Sequence, residues 1–381
     1  MTRVAVVGGG ALGVTAARDL AARGAETVLY ERDDLASGAS GRAAGIAYDA
    51  FAEDIDAAVA ERAVERFRNL DDEGAIDFVD HPYVWFARAG DERRAEAVRE
   101  SAERMRANGR DVATLAPDEF ADRFPALAGV DVAVAALARD AGYLDPASYV
   151  TAMGERAESA GATVETGTPV RLADDGTAVE TPTGVERFDA VLVAAGAHTK
   201  RLLACVGVPI PMKPYRVQAL VTGPVDGSER VPTCYDASES RYARPREGGL
   251  LVGDGTQERE FDPDDYDESA DPDFERASLA WLETVCEDPL AEGPLGSDFA
   301  VCRSWAGLCT ATPDRDPLLG EIRSGLYVAT GWHGHGFMRA PALGERIADE
   351  MLGGDGIAPF DPDRFDGDEA FSVVEGMTVE D

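Results

Sequence analysis

Lysine is almost missing from this chain: Lys200 and Lys213 are the only two among 36 basic residues, set against 72 acidic ones and a net charge of −36. Such a balance argues against a nucleic-acid partner, whose phosphates it would repel. The acids are spread along the whole chain rather than gathered in a block, so a basic protein partner is not the expected reason for them. A carboxylate-rich, lysine-poor surface repels itself in dilute buffer and tolerates strong salt, where screening acts over roughly 3 Å at 1 M; it points to a salt-loaded cytoplasm. No apolar stretch reaches the roughly 18 residues needed to span a bilayer. The N-terminus opens directly on a strand rather than on a charged and apolar leader, so export is not expected. Five cysteines show no CxxC spacing and leave one over from any pairing, which suggests a reducing compartment. No internal repeat is evident.

What is present begins at once. Val4 to Val7 reads as a short buried strand, Gly8-x-Gly10-x-x-Gly13 opens a helix, and Thr27 to Tyr30 returns as a parallel strand ending on Glu31. Gly8 allows the tight turn, Gly10 lets backbone amides approach a pyrophosphate at the helix N-terminus, and Gly13 lets the helix lie close to the strand. Glu31 can accept a hydrogen bond from a ribose hydroxyl. The reading is a nucleotide-cofactor enzyme. FAD and NAD share the ADP half, so this fingerprint does not choose between them. The small-residue run from Leu35 to Gly45 tips the choice, because its backbone could press against a second phosphate and a bulky ring, where an NAD enzyme would start another βαβ unit. A helix with apolar Ala60, Ala63, Val64 and Phe67 follows instead, and then a strand-like HPYVWFA (81–87).

These residues, with AGYLDPASYVTAM (141–153), FDAVLVAAGAHTKRLL (188–203), WAGLCTATPDRDPLLG (305–320) and GLYVATGWHGHGFMRAPALGERIAD (325–349), resemble the D-amino-acid oxidase-like flavoproteins. That family includes glycine oxidase, sarcosine oxidase and dehydrogenase, dimethylglycine dehydrogenase and the proline dehydrogenase beta subunits. The resemblance runs from residue 3 to about 352. It implies an α/β fold: a Rossmann-like FAD-binding domain of glutathione-reductase type with an inserted antiparallel-sheet substrate domain. The expected division gives 1–75, 141–212 and 300–355 to the FAD domain and 76–140 and 213–299 to the substrate domain. An acidic, aperiodic tail, 356–381, is expected to be partly disordered. Helices are expected over 92–107 and 117–127, a strand over 215–223 and a hairpin over 241–256.

The resemblance places FAD contacts on Gly8, Gly10, Ala11, Leu12, Gly13, Glu31 and Arg32, and on Ser40, Arg42, Ala44 and Gly45. Further contacts fall on Val170, Ala195, Gly196 and Gly307, and on Gly331, Gly334, Gly336, Phe337 and Met338. Some relatives tether FAD through the histidine of a WHAAG block, where this chain reads Gly41 to Gly45, and monomeric sarcosine oxidases through a cysteine aligned with Gly307. Both anchors are replaced, which implies non-covalent FAD.

Oxidising an amine means moving a hydride equivalent from the carbon beside nitrogen, so the protein must hold that carbon, keep the nitrogen uncharged and exclude water. His335 and His333, in the GWHGHGF turn, are the catalytic candidates, with Tyr242 and Tyr215 as hydroxyl donors. A metal site is not expected, because no carboxylate or thiol lies at ligand spacing from the H-x-H pair. An amino-acid substrate also needs a cation for its carboxylate. Relatives of the glycine oxidase type carry an arginine where this chain has Cys309, and sarcosine oxidases carry a lysine where it has Met338; the remaining candidates are Arg42, Arg244 and Arg339. The resemblance thus implies oxidation of a secondary or tertiary amino acid (sarcosine, dimethylglycine or proline type). D-amino-acid or glycine oxidation, hydroxy-acid oxidation, and service as the flavin-bearing subunit of a larger amine dehydrogenase are the alternatives. Oxygen or another acceptor would reoxidise the flavin, and the absence of lysine after Lys213 leans toward a dehydrogenase or slow oxidase.

Overall fold

A computed structural model of the chain describes residues 2–127, 129–286 and 299–374. Its first layer is a six-stranded sheet in the order Leu318–Arg323, Leu326–Thr330, Ala190–Val193, Arg3–Val7, Glu26–Tyr30, Thr163–Glu165; all pairings are parallel except that of the first two. Parallel strands covered on both faces read as unbroken apolar runs, and Val4 to Val7 of Arg3–Val7 is such a run. Because side chains alternate along a strand, Val4 and Val6 meet one layer and Ala5 and Val7 the other. Val4 and Val6 join the core built with helices Ala11–Ala22, Pro146–Ser159 and Gly336–Met351. Ala5 and Val7 pack with Leu172 and Val179 of a small antiparallel sheet, Arg171–Ala173, Ala178–Thr181 and Gly184–Arg187.

The second layer is an eight-stranded sheet in the order Val301–Ala311, Lys213–Thr222, Gly249–Gly253, Arg241–Arg246, Thr233–Asp236, Tyr83–Arg88, Val132–Ala138, Val112–Leu115. The same alternation sorts Tyr83–Arg88: Tyr83 and Trp85 join the core shared with the first layer, while Val84 and Phe86 pack outward with Phe120, Phe274 and Trp281. Three expectations change here. The sheet is antiparallel except where Thr233–Asp236 runs parallel to Tyr83–Arg88; these two strands come from separate insertions, so no hairpin dictates their direction. Val301–Ala311, read with the FAD domain, instead pairs along its whole length with Lys213–Thr222, and its apolar alternation looks alike in either sheet. The third change concerns the tail: residues 356–374 are packed. Phe360 is fully buried, Val373 packs with Tyr215 and Ala311, and Lys213 donates to the Phe371 carbonyl and sits over its ring. Residues 375–381 of the expected tail, and 287–298 of the second insertion, lie outside the described residues.

The expected helices, strand and hairpin form at Glu92–Ala107, Pro117–Arg123, Lys213–Thr222 and Arg241–Arg246 with Gly249–Gly253. Asp54–Asp72 buries Ala60, Ala63, Val64 and Phe67 as its spacing predicts. Among the described residues no helix is long and apolar enough to cross a membrane.

Candidate active site

A cavity of about 970 Å³ runs from the first glycine turn to the inner face of the eight-stranded sheet, at the upper end of the roughly 300–1,000 Å³ of small-molecule sites. Its first half is backbone. Gly8 holds φ +116°, and a Cβ there would stand 2.4 Å from the Ala194 carbonyl; a Cβ on Gly13 would stand 1.9 Å from the Gly8 carbonyl. Strand, turn and helix are therefore pressed together to a spacing that only glycine allows. Helix Ala11–Ala22 opens with no side-chain cap on Gly10 and no acid in its first turn, so its amide dipoles remain available to an anion. Ser40 Oγ accepts from the Ala11 amide at 2.9 Å and pins the small-residue run against that opening.

Glu31 ends the second strand inside the cavity. One oxygen accepts from the Gly9 amide at 2.7 Å and the other from the Asp33 amide at 3.0 Å, which fixes the carboxylate while each oxygen keeps a lone pair for a ribose hydroxyl. A helix start with no acid in its first turn, a glycine cradle and an oriented acid together fit a dinucleotide.

The far half is built of side chains from distant segments. Arg42 crosses Gly307, whose Cβ would lie 3.4 Å from Arg42 Cδ, so its stem packs against that glycine. Its guanidinium pairs with Glu268 at 2.6 Å, and Trp305 Nε1 donates to its carbonyl at 3.0 Å. Tyr48 and Tyr83 stack with centroids 4.6 Å apart, and Tyr242, Asp254, Thr256 and Trp332 complete the wall. Pro263, Asp264, Tyr266 and Glu268 bring in an acidic segment that covers one side of the cavity. Polar contacts fasten it: ion pairs from Lys200 to Glu260 at 3.0 Å and from Arg201 to Asp262 and Asp264, and a hydrogen bond between His198 Nε2 and Asp264 at 2.9 Å.

Of the residues chosen from sequence, Gly8, Gly10, Ala11, Leu12, Glu31, Arg32, Ser40, Arg42, Ala44, Gly45, Val170, Ala195, Gly196, Gly307, Gly334, Gly336, Phe337, Met338 and Tyr242 line the cavity, as does Cys309. The rest do not. Gly13 and Gly331 act behind the lining, Gly331 because a Cβ there would meet the Thr312 methyl at 2.5 Å. Arg244 is buried away from the lining, where it donates to the Ala44 carbonyl at 2.5 Å and the Pro245 carbonyl at 2.7 Å; burial pushes its guanidinium down to about 10. It fastens the Ala44 turn rather than facing the cavity. Arg339 pairs with Asp56 below the C-terminal turn, and Tyr215 is fully buried.

Both histidines also lie outside the lining. His333 adopts φ +45° and turns toward Thr312, whose amide donates to Nε2 at 2.7 Å. His335 sits at the start of helix Gly336–Met351 beneath Tyr48, with Nε2 3.4 Å from the phenol and Phe51 edge-on at 5.4 Å. Burial first, then the Arg339 charge, brings His335 down to about 3; burial brings His333 to about 4, so both are neutral at neutral pH.

The residues missed by sequence reading are Tyr48, Tyr83, Asp254, Thr256, Trp332 and Glu268. Alternation could have found Tyr83, since the HPYVWFA strand must send every second residue to one face. Asp254 and Glu268 carried no local signal.

The description "FAD dependent oxidoreductase" (DAO) matches residues 3–350. Glycine oxidase of Geobacillus kaustophilus (strain HTA426) is 28% identical over 362 residues, covering 91% of this chain and 92% of that protein. The 4-methylaminobutanoate oxidase (formaldehyde-forming) of Paenarthrobacter nicotinovorans is 28% identical over 374 residues, covering 92% of this chain, which spans only 44% of that longer protein. Among solved structures, L-proline dehydrogenase from P. horikoshii superposes with a TM-score of 0.85 at 27% identity, over 96% of this chain and 97% of that one. With its glycine-turn cavity and a match over nearly its whole length, the chain belongs to the DAO family of FAD dependent oxidoreductases.

Proposed function

We propose that this FAD-dependent oxidoreductase oxidises the C–N bond of a secondary or tertiary amino acid of the sarcosine, dimethylglycine or proline type. The observation that carries this reading is the makeup of the far half of the cavity. Arg42 offers one guanidinium beside Gly307, Cys309 stands where glycine-oxidase-like relatives place an arginine, and stacked tyrosines form the wall. Bound FAD supplies the acceptor for a hydride equivalent. Arg42 would exchange Glu268 for the substrate carboxylate, a charge-assisted contact. Tyr242 would orient the substrate with its hydroxyl, and the tyrosine wall would keep water from the reacting carbon. Since His333 and His335 are neutral and turned away from the lining, we assign them to holding the turn rather than to taking a proton.

We infer that the FAD is held without a covalent bond, with Arg42 packed over Gly307 in place of a thiol anchor. The six-stranded layer would be the cofactor domain and the eight-stranded sheet, now including Val301–Ala311, the substrate wall. A reducing, salt-loaded cytoplasm fits the arginine-dominated ion pairs and the lack of any disulfide among the described residues.

The deciding experiment is anaerobic bleaching of the flavin's visible band in high-salt buffer with sarcosine, dimethylglycine and L-proline, against glycine and D-alanine. Rapid bleaching by an N-alkylated substrate is expected. Bleaching by glycine or D-alanine alone would overturn the reading, and so would set Arg42 in the role of the missing arginine for primary amines. Flavin that stays with the polypeptide after acid precipitation would overturn the non-covalent assignment.

A further inference from the structure

A carboxylate stands in the wall of the cavity with nothing yet to do. Asp254 follows strand Gly249–Gly253 and lines the cavity beside Tyr48, Tyr83, Tyr242 and Thr256. Its neighbour Gly253 lies opposite Tyr242 in the hairpin, and a Cβ there would stand 2.1 Å from the phenol oxygen, so the tyrosine closes over the strand end. The backbone at Asp254 holds φ +92°, a conformation that L side chains rarely adopt and that costs free energy unless the surroundings impose it. One oxygen, Oδ1, accepts from Thr256 Oγ1 at 2.8 Å; the other, Oδ2, is enclosed without a hydrogen-bond partner. Arg241, whose charge acts on this carboxyl, sends its own guanidinium to Ser278 Oγ at 2.9 Å.

A buried acceptor left open is costly, and in a native protein it calls for an explanation. Here the surroundings name the complement. A carboxylate oxygen among tyrosine faces is the chemistry that receives an alkylammonium group: the acid takes an N–H and the aromatic faces attract the remaining positive charge.

We propose that the Asp254 carboxylate receives the protonated nitrogen of the arriving substrate, takes its proton so that the nitrogen is uncharged for oxidation, and, with Arg42 at the substrate carboxylate, restricts the enzyme to zwitterions whose nitrogen carries at least one N–H. The inference rests on the amine reading above and deepens it. Quaternary amines such as glycine betaine, which have no N–H, are excluded by the same geometry. Burial holds the Asp254 carboxyl up at about 6, so at pH 8 it is ionised and gains from a cation beside it.

The test is a binding measurement on the FAD-loaded enzyme with two probes of one shape. The first is 2-aminoisobutyrate, whose α-carbon has no hydrogen to give. The second is trimethylacetate, which puts a methyl where the first has its ammonium. Titration calorimetry at pH 8 is expected to show the ammonium probe binding at least about tenfold more tightly, the size of one charge-assisted hydrogen bond. Asp254→Asn should bring the two affinities together. Asp254→Gly should do the same and guards against misfolding, because glycine accepts φ +92° without strain. Equal affinities in the wild type, no binding of the ammonium probe, or a preference that survives in both variants overturns the proposal. A preference that Asp254→Asn abolishes, in an enzyme whose flavin no amine bleaches, would leave the ammonium site standing and remove the oxidation reading instead.

Discussion

The two ends of one cavity are built on opposite principles. At the glycine-turn end, residues 8 to 13 and 31 make the site with backbone amides, one oriented acid and the absence of Cβ atoms, all within a single βαβ stretch. At the tyrosine-lined end, Arg42, Tyr48, Tyr83, Tyr242, Asp254 and Trp332 arrive from widely separated parts of the chain, and each contributes a side chain. The first end is specific for a cofactor part shared by many enzymes and tolerates no added atoms. The second, which the amine reading assigns to the substrate, can vary one side chain at a time.

Four changes would break or sharpen that contrast. The largest effect belongs to Gly13→Val: with even a Cβ only 1.9 Å from the Gly8 carbonyl, strand and helix must separate. The purified protein should lack the flavin's visible absorption band and unfold at markedly lower temperature; a yellow, stable variant would break the account of the first end. Arg42→Gln comes next. Loss of a charge-assisted contact of roughly 1.5–3 kcal/mol should raise KM for an amino-acid substrate about 10- to 100-fold while FAD affinity changes little. If FAD affinity falls equally, Arg42 serves the cofactor and the two ends are not separable. Glu31→Gln should act in the converse sense. The FAD dissociation constant, followed by flavin fluorescence on dilution, is expected to rise about tenfold, with KM nearly unchanged.

The smallest effect concerns the buried histidines. His335 is brought down from its ordinary value to about 3, so the unfolded chain takes up a proton before the folded one does. The stabilisation is fully present above the unfolded value of about 6.5 and is lost as pH falls from there toward the folded one. Between pH 7 and about 5.5 the wild type should lose about 1 kcal/mol through this residue. Asp254 and Asp316, held up at about 6, act with the opposite sign, so the useful quantity is the difference between proteins. The gap in Tm between wild type and His335→Asn should narrow as pH falls. A constant gap would mean that His335 is not buried neutral beneath Tyr48.

How far sequence reading reached follows the same division. Gly8, Gly10, Gly13 and Glu31 could be assigned because their spacing is itself the structure of the turn. The helix over 54–72 and the hairpin over 241–253 were legible because burial imposes periods of 3.6 and 2. His333 and His335 misled because a turn shared with relatives fixes where the backbone goes but not which way a ring points; φ +45° at His333 sends it to Thr312. Arg244 looked like a free cation in a hairpin and is instead spent on two backbone carbonyls.

By itself, then, the order of residues determined the cofactor cradle, the layered α/β plan and the acid-rich, lysine-poor surface, because these rest on local spacing, alternation and composition. Only the tertiary structure decided that Val301–Ala311 belongs with the eight-stranded sheet, that Phe360 packs with the six-stranded layer and Val373 with Tyr215 and Ala311, and that Asp254 joins a tyrosine-lined wall. Those outcomes depend on pairings between segments far apart in the chain. Local propensity is the same whichever partner is found, and the choice falls to the burial and hydrogen bonding that only the assembled fold supplies.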